Sequence, residues 1–312
     1  MKARHILSFL ATATLLACGA SSDKSQDSQA AADSSSTPEA GADWPSCTAW
    51  LADFPHPGGD TVCDSPKPED VQGVQYAGAA WLTLSSGRKA AVWLPDDWAS
   101  RTDRSLLVLL HGSVGCAEGQ FTQTHILFGD RHALVALAYE GAGETVADPS
   151  EIHADLAEVR ASLHDHCPME GTTELMYGLS RGGGRAVQVA GLDVADGGHL
   201  DGIVVDSGPI PGRSLDGLSF DGANLLLWCG EYDPSPIEEG RTTCDVMQND
   251  LGPLLQSRGA QVELMVGEAS CHGMVQWECN ADCSDCAGTA DPMEWGPNVT
   301  AVADWLDGVV GG

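Results

Sequence analysis

Basic residues are scarce in this chain, which has 15 Lys and Arg against 45 Asp and Glu among its 312 residues. The formal net charge is therefore -30. A surface that binds the phosphate backbone needs a patch of basic side chains, so this balance excludes nucleic-acid binding. The acidic residues are typical of a solvated surface that keeps a protein soluble.

The N-terminal apolar run, residues 6–17, is too short to span a bilayer. Lys2 and Arg4 precede it and Cys18 follows it, which is typical of a secretory signal peptide rather than a transmembrane helix. We therefore expect residues 1–17 to be a signal peptide.

The four residues that end at Cys18, Leu-Leu-Ala-Cys, resemble the bacterial lipobox. That resemblance implies that Cys18 is acylated, for example with palmitate, and becomes the mature N-terminus. Gly19 stands where an inner-membrane retention signal would have Asp, so we expect a lipid anchor in the outer membrane or at the surface of a Gram-negative bacterium. The alternative is an ordinary secretory peptide with an unmodified Cys18.

Three segments follow the signal peptide. Residues 18–43 are acidic and rich in Ser and Ala, and they predict a disordered tether. Residues 44–70 are rich in Cys, Trp and Pro and predict an irregular, disulfide-linked lead-in that packs on the main domain. Residues 71–312 are enough for one large α/β domain, and they contain no internal repeat.

The chain has 11 cysteines, and an even number, 10, remains when Cys18 is left out. In an exported protein this favours disulfides. Cys47 with Cys63, and Cys116 with Cys167, are two of the possible pairs.

Apolar runs alternate with helical stretches along residues 71–312, a pattern that predicts a mostly parallel sheet with helices on both faces. The predicted strands are 71–84 and 88–94 as a hairpin, then 105–110, 133–139, 174–178, 203–205, 225–229 and 261–266. The predicted helices are 122–128, 152–166, one directly after Ser180, 244–258 and 299–309.

Ser180 lies between a predicted strand and a predicted helix, in the sequence Gly178-Leu179-Ser180-Arg181-Gly182. A serine at such a sharp turn needs small residues two positions before and after it, because the backbone is crowded there. Its hydroxyl would lie at a helix N-terminus, which favours the negative charge of an oxyanion. The pattern predicts that Ser180 is a nucleophile.

This motif, the loop that begins His111-Gly112 after an earlier strand, and the alternation of strands and helices resemble the α/β-hydrolase superfamily. The branch that the chain resembles most is that of secreted esterases of the dienelactone-hydrolase, feruloyl-esterase and polyester-depolymerase type. The resemblance covers about residues 71–309. It implies an α/β-hydrolase fold and a Ser-acid-His triad in that chain order.

His272 is the only one of the 10 histidines that follows the candidate acid, and it comes just after the last predicted strand. By resemblance the acid is Asp233, which would accept a hydrogen bond from the Nδ1–H of His272. Glu231 and Asp206 remain alternatives. The superfamily pattern places the two oxyanion-hole N–H groups on Arg181 and Ser113, or on Val114 if the loop is offset, and leaves His111 a structural role.

The loop after His272 contains Cys271, Cys279, Cys283 and Cys286, which could form disulfides or a zinc site. We favour disulfides and predict no metal, and a bridge from Cys271 would fix the loop that carries His272. Asp282, Asp285 and Asp291 could bind calcium, but their spacing fits no EF-hand pattern, and a solvated acidic loop is the favoured interpretation. Trp277 and Trp295 could line a substrate pocket or pack for stability.

These residues predict a serine hydrolase that cleaves carboxylic esters through an acyl-enzyme intermediate and needs no cofactor. The expected substrate is a small-molecule or polymer ester, and the expected protein is a monomer. A catalytically silent surface binding module and a serine peptidase on the same fold are the alternatives.

Overall fold

The computed structural model describes residues 44–55, 79–113, 115–139, 146–286 and 296–312. Residues 18–43, Cys63, Val114, Asp291 and Trp295 lie outside these ranges, so the predictions made for them lie outside the described residues. Ala40–Gly312 form one unit. No helix of the described ranges is both long enough and apolar enough to cross a membrane.

An eight-stranded sheet organises the described chain, with the strand order β1-β2-β4-β3-β5-β6-β7-β8. The strands are β1 Ala80–Thr83, β2 Lys89–Trp93, β3 Ser105–Leu110, β4 Ala133–Leu137, β5 Thr173–Leu179, β6 Gly202–Asp206, β7 Asn224–Gly230 and β8 Gln261–Gly267. β1 and β2 form an antiparallel hairpin, β2 also pairs antiparallel with β4, and the strands from β4 to β8 are parallel. The predicted hairpin and the predicted parallel sheet are both confirmed.

Helices cover both faces of this sheet. They are α1 Trp44–Ala52, α2 Ala117–Phe128, α3 Pro149–His166, α4 Arg181–Ala195, α5 Thr243–Val246, α6 Gly252–Ser257 and α7 Pro297–Gly311. Along β3, Leu106, Val108 and Leu110 enter the core shared with α1, α3, α4 and α6. Leu107 and Leu109 enter the core shared with α2 and α7. Successive side chains of a strand point to opposite faces, so a run buried on both faces has to be apolar throughout.

Capping residues explain where two of the helices begin. α3 starts with Pro149 and has a capping box between Asp148 and Glu151. α2 begins at Ala117, where Cys116 Sγ accepts a hydrogen bond from the Gly119 N–H at 3.2 Å, so the helix is longer than the predicted residues 122–128.

α1 corrects the prediction of an irregular lead-in at residues 44–55. Pro45 lies in the first turn, where a missing N–H costs no helical hydrogen bond, so it does not break the helix. Cys47 and Leu51 are spaced four apart and are both buried. Trp50 stacks on His166 at the end of α3, with ring centroids 4.5 Å apart.

The disulfides also differ from the pairs considered. Cys47 bonds to Cys167 at the C-terminus of α3, so the pairs Cys47 with Cys63 and Cys116 with Cys167 are both wrong. Sequence spacing could not select this pair, because its two cysteines are 120 residues apart. The other described bridges are Cys229–Cys244, Cys271–Cys283 and Cys279–Cys286, and Cys116 is disulfide-bonded as well.

The predicted helix over 244–258 is divided. A π-helical segment, Met247–Leu251, separates α5 from α6. Pro253 lies in the first turn of α6 and has no N–H to donate to a carbonyl one turn earlier, so the regular α-helical hydrogen bonding is interrupted there.

Candidate active site

Ser180 lies at a sharp turn between β5 and α4. Its backbone has φ 55° and ψ -118°, a conformation that side-chain-bearing residues rarely adopt. Holding it costs on the order of 1–3 kcal/mol, and such strain is found most often at functional sites. The turn places the Ser180 side chain at the N-terminus of α4, where the first backbone N–H groups of a helix have no acceptor within the helix.

Gly178 and Gly182 are required by the packing around this turn. A Cβ on Gly178 would lie 2.3 Å from the carbonyl oxygen of Gly182, and a Cβ on Gly182 would lie 2.1 Å from that of Leu110. Both distances are shorter than any real contact, so only glycine fits at either position. This is the crowding that the spacing around Ser180 predicts.

The carboxyl ends of five neighbouring strands lie at the edge of the sheet that carries Ser180. In register, Leu110 pairs with Gly178, Leu179 with Asp206, and Gly230 with Gly267. The Ser180 N–H donates to the Asp206 carbonyl at 2.7 Å. The residues that follow β3, β5, β6, β7 and β8 are therefore collected at one edge of the sheet, where parallel α/β sheets bind their ligands.

His272 and Asp233 are brought together at this edge. His272 Nδ1 lies 3.0 Å from Asp233 Oδ1 and 3.1 Å from Oδ2. The Asp233 side chain is 3% exposed and the His272 side chain is 42% exposed, so the carboxylate is buried behind an imidazole that can reach solvent or a ligand. Hydrogen bonding by a carboxylate at Nδ1 leaves Nε2 to accept a proton.

The two alternative acids have other partners. Asp206 Oδ2 accepts from the Tyr177 hydroxyl at 2.6 Å and from the Met274 N–H at 3.1 Å. Glu231 Oε2 accepts from the Ala269 N–H at 2.9 Å. Each supports the chain on one side of His272, whereas Asp233 contacts the imidazole itself.

Electrostatics at the site follow from these contacts. The hydrogen bond with Asp233 raises the pKa of His272 above its ordinary value of 6.5, and the charges of Asp233 and Asp206 add to the effect against the opposing desolvation. Burial raises the pKa of Asp206 from 3.8 to about 6, although its hydrogen bonds with Tyr177 and Met274 oppose the rise. The buried Asp206 is thus harder to ionise than an exposed aspartate.

The segment that carries His272 is fixed from several sides. The Gly273 N–H donates to Ser207 Oγ at 3.0 Å, and Ser207 itself has a positive φ of 51°. Asn298, in the first turn of α7, donates to Ser270 Oγ at 2.7 Å and to the Gln276 carbonyl at 3.1 Å. These contacts hold the His272 loop, residues 268–280, against β6 and α7.

Two disulfides add to this support. Cys271, next to His272, is bonded to Cys283, and Cys279 is bonded to Cys286. The bridge from Cys271 is the one expected to fix this loop. Cys271, Cys279, Cys283 and Cys286 each have a sulfur partner, so the disulfide interpretation of this loop is confirmed.

The loop after β3 lies directly against the Ser180 turn. A Cβ on Gly112 would be 3.4 Å from the Cβ of Ser180, and Ser113 lines the same cleft as Ser180 and Arg181. His111 is buried and stacks on Tyr139 with ring centroids 4.4 Å apart, and the Tyr139 hydroxyl donates to the His111 carbonyl. His111 therefore fixes the start of this loop, which is the structural role expected of it.

The residues next to Ser180 and His272, Leu179 and Gly273, lie close to each other. A Cβ on Gly273 would lie 3.4 Å from Leu179 Cδ1. Both Ser180 and Gly273 also donate backbone hydrogen bonds to the end of β6, to Asp206 and Ser207 respectively. In the described part of the chain no hydrogen bond joins Ser180 Oγ to His272 Nε2.

A cleft of about 320 Å³ opens beside Ser180 and follows α4. Its lining includes the polar residues Ser113, Arg185 and Gln188 and an apolar wall formed by Ile210 and neighbouring prolines. Trp277 packs against Gly296 at the start of α7, where a glycine Cβ would lie 2.4 Å from the indole ring, so its position matches the stabilising interpretation.

No protein-family model and no curated protein matches this sequence. Solved structures do match it. An esterase/lipase from an uncultured bacterium is 14% identical, with a TM-score of 0.53, over 75% of this chain and 85% of that one. A hyperthermophilic esterase from the archaeon Pyrobaculum calidifontis is 16% identical, with a TM-score of 0.53, over 75% and 84%. The esterase EstE5 is 15% identical, with a TM-score of 0.53, over 85% and 97%.

The chain has the α/β-hydrolase fold. At these sequence identities the similarity establishes the fold alone. This fold is the one predicted from the sequence.

Several residues that support the site within this α/β-hydrolase fold were not anticipated from the sequence. They are Tyr177, Ser207 and Asn298, which hold the His272 loop or its neighbour Asp206, and Arg185 with Gln188 in the cleft. The contacts of Tyr177, Ser207 and Asn298 join residues 22 to 66 positions apart. Those of Arg185 and Gln188 with the cleft depend on which face of α4 lines it. The one available signal was the position of Arg185, one turn beyond the serine motif.

Proposed function

We propose that this protein is a serine hydrolase that cleaves carboxylic esters with Ser180 as nucleophile, His272 as general base and Asp233 as the acid that orients the histidine. One observation carries the proposal. The strained Ser180 turn lies at the same sheet edge as an imidazole whose Nδ1 is 3.0 Å from a buried carboxylate. A hydroxyl at a helix N-terminus, a base and an orienting acid are the parts that nucleophilic acyl transfer needs.

In the proposed reaction, Ser180 Oγ attacks the ester carbonyl and its proton passes to His272 Nε2. The imidazolium is stabilised by Asp233, and this proton then goes to the departing alcohol as the acyl-enzyme forms. A water molecule, deprotonated by His272, attacks the acyl-enzyme and releases the carboxylic acid. Hydrogen bonds from serine to histidine are often long in a free enzyme and shorten when substrate binds.

Two backbone N–H groups would stabilise the negative charge on the tetrahedral oxygen. One belongs to Arg181 at the N-terminus of α4, where the helix dipole favours an anion. The other belongs to Ser113 in the loop that packs against the Ser180 turn, and both residues line the cleft. The mechanism uses no cofactor.

Esters are favoured over peptides as the substrate because the matched structures named above are esterases. The substrate class that we propose is a small-molecule or polymer ester, and the protein would act as a monomer. A protein of this fold that only binds a ligand would have no need of an imidazole held by a buried carboxylate at the same sheet edge as Ser180.

Active-site labelling tests this proposal. The oxidised full-length protein is treated with a fluorophosphonate probe, the labelled peptide is identified by mass spectrometry, and hydrolysis of short p-nitrophenyl esters is measured in parallel. We expect labelling at Ser180 that is absent in Ser180→Ala and weak in His272→Ala. Ser257→Ala, which changes an exposed serine on α6, is the matched control and should label like the parent protein.

Each outcome has a distinct meaning. Labelling at Ser180 together with ester hydrolysis supports the proposal. Labelling without hydrolysis of any ester, but with cleavage of a peptide, would replace it by the peptidase alternative. A folded protein that neither labels nor turns over would be the silent binding module.

We also propose that the protein is exported and anchored by lipid on Cys18 in the outer membrane or at the cell surface. The lipobox-like sequence supports this, and so do the disulfides, since such bonds form mainly outside the reducing cytosol. Growth of an expressing Gram-negative bacterium with an alkyne fatty acid should label the parent protein and not Cys18→Ser. Equal labelling of both would contradict the anchor.

A further inference from the structure

We propose that the cleft selects esters that carry a negatively charged group, such as a carboxylate, and that Arg185 is the residue that recognises this group. The inference rests on the proposed ester hydrolysis at Ser180 and extends it to a substrate class. It comes from the partners of Arg185 and from the charge of the cleft.

Arg185 differs from most arginines of the described chain in its partners. Six of them form ion pairs with Asp or Glu side chains, namely Arg88, Arg101, Arg131, Arg160, Arg241 and Arg258. Arg185 instead donates from its NH1 group to the neutral amide oxygen of Gln188 at 2.9 Å. Its Nε is buried and has no hydrogen-bond partner among the described residues.

The contact with Gln188 orients the Arg185 guanidinium without neutralising its charge. Gln188 is itself fixed, because its Nε2 donates to the Ser214 carbonyl at 3.2 Å. A guanidinium is always charged and has five N–H donors in a planar fork that matches a carboxylate. Arg185 lines the cleft, and its Nε–H is buried without an acceptor. Burying a donor unpaired is costly, and a reorientation of the side chain toward an anion in the cleft would remove that cost.

The charge of the cleft is opposite to that of the chain. The sequence has 45 acidic against 15 basic residues, yet the described residues that line the cleft include Arg181 and Arg185 and no Asp or Glu. A net charge of -30 repels an anionic ligand at long range. Arg185, whose described side-chain partner is a neutral amide, therefore supplies local attraction beside Ser180, where the proposed reaction occurs.

The position of Arg185 limits the shape of the substrate. It follows Ser180 by five residues on α4, which corresponds to roughly 7 Å along the helix axis. The apolar part of the cleft lining consists of Pro209, Ile210, Pro211 and Pro236. The expected substrate thus has its charged group several bonds away from the ester carbonyl, with an apolar part between them.

Two matched pairs of esters test this inference at about pH 7.5, where a carboxylate is ionised. The first pair has the charge on the alcohol side: the butyrate ester of p-hydroxybenzoate and that of p-hydroxybenzamide. The second has it on the acyl side: the p-nitrophenyl monoester of adipic acid and its terminal amide. In each pair the neutral amide has nearly the shape of the carboxylate. The change in the kcat/KM ratio between the parent protein and the Arg185 variants cancels differences in leaving-group reactivity and reports recognition of the charge.

We expect the full-length protein to prefer the anionic member of at least one pair by about 10- to 100-fold in kcat/KM, the range typical of a hydrogen bond to a charged group. Arg185→Gln should remove this preference by lowering kcat/KM for the anionic ester about 10- to 100-fold more than for its neutral partner. Arg185→Lys should keep part of the preference, because it keeps the charge but not the fork. Arg131→Gln removes the same charge at the opposite edge of the sheet and should have no effect.

The inference is overturned if neither anionic ester is preferred, or if Arg185→Gln lowers kcat/KM equally for charged and neutral esters, which would indicate a structural role. In either case continued labelling of Ser180 and hydrolysis of neutral esters would leave the proposed function intact. Loss of labelling and of all ester hydrolysis in the parent protein would instead refute the proposed function, and this inference with it.

Discussion

Asp233 and Asp206 both lie near His272, but they differ in what they hold. Asp233 hydrogen-bonds the imidazole, and Asp206 hydrogen-bonds Tyr177 and the backbone of Met274. The first therefore sets the tautomer and charge of His272, whereas the second sets the position of the loop that carries it. Substitution of each acid by its amide should separate these effects.

The pH dependence of ester hydrolysis should report the charge state of His272. Its pKa is raised above 6.5, chiefly by the hydrogen bond with Asp233. A general base must be neutral, so kcat/KM should be high above this raised pKa and should fall by about tenfold per pH unit below it. Asp233→Asn should lower kcat by about 10³- to 10⁴-fold and move the acid limb of the kcat/KM profile to lower pH. An unchanged limb in Asp233→Asn would contradict the assignment of Asp233, and Glu231→Gln is the matched control that should leave it in place.

Asp206 should make the folded protein less stable as the pH rises through its titration. Its pKa is raised from 3.8 to about 6, so between these values the folded state binds the proton that the unfolded state has released. The corresponding stability is present below about pH 4 and is lost by about pH 6, and its size is about 3 kcal/mol. In Asp206→Asn the free energy of unfolding should therefore depend less on pH over this range. Urea denaturation at a series of pH values measures this dependence. Asp304→Asn, at an exposed position of α7, is the control, and an identical slope in Asp206→Asn and the parent would refute the account.

Much of the candidate site could be predicted at the level of single residues because chain order restricts the choice. His272 was the only histidine after the candidate acid, and the structure places it 3.0 Å from Asp233. Ser207 could not be predicted in the same way. Its contact with Gly273 spans 66 residues and depends on how the end of β6 turns, which local sequence does not encode.

Whole strands were the most predictable elements. β3, β6 and β7 are short apolar runs because they are buried on both faces, and their composition alone identifies them. α1 was missed because its single turn-breaking residue, Pro45, lies where a helix tolerates it. The division of the helix before β8 was missed because the π-helical segment reflects one absent N–H rather than a change in hydrophobic pattern.

Removal of two disulfides that lie in different parts of the fold should affect different properties, Tm in one case and kcat in the other. Cys47–Cys167 joins α1 to the end of α3 and closes 120 residues, whereas Cys271–Cys283 closes 12 residues beside His272. Loss of Cys47–Cys167 should raise the conformational entropy of the unfolded chain. Tm should therefore fall by about 10–15 °C while kcat is retained. Loss of Cys271–Cys283 should lower kcat at least about tenfold with a smaller fall in Tm, because small displacements of a base are costly for catalysis.

The experiment uses two double variants, Cys47→Ala with Cys167→Ala and Cys271→Ala with Cys283→Ala, so that no odd thiol is left to exchange. Tm is measured by calorimetry, and kcat on a neutral aryl ester is measured well below the lower Tm. If both variants lose kcat equally at that temperature, the bridge beside His272 has no special role in positioning. If neither Tm changes, the loop-closure account of Cys47–Cys167 is wrong.

At the scale of the whole molecule, two kinds of electrostatic interaction oppose each other. The net charge of -30 produces mutual repulsion over the surface, and arginines such as Arg88 and Arg160 form partly buried ion pairs at 2.5 and 2.6 Å. Salt screens the surface repulsion and the arginine ion pairs to different extents. Exposed charges more than a Debye length apart are screened strongly, while close and partly buried pairs are screened little.

Raising the salt concentration should therefore stabilise the protein. Between about 0.01 M and 0.3 M KCl the Debye length falls from about 30 Å to less than 10 Å, so most of the repulsion among the acidic residues is removed while the close arginine pairs persist. We expect Tm, measured at constant pH, to rise by several degrees over this range and then to level off. The same salt series on the Arg131→Gln variant, which lacks one exposed ion pair with Asp307, should give an equal or slightly larger rise, since that pair is itself weakened by salt. A fall in Tm with added KCl would mean that ion pairs outweigh net repulsion, and that the charge of this chain stabilises its fold rather than opposing it.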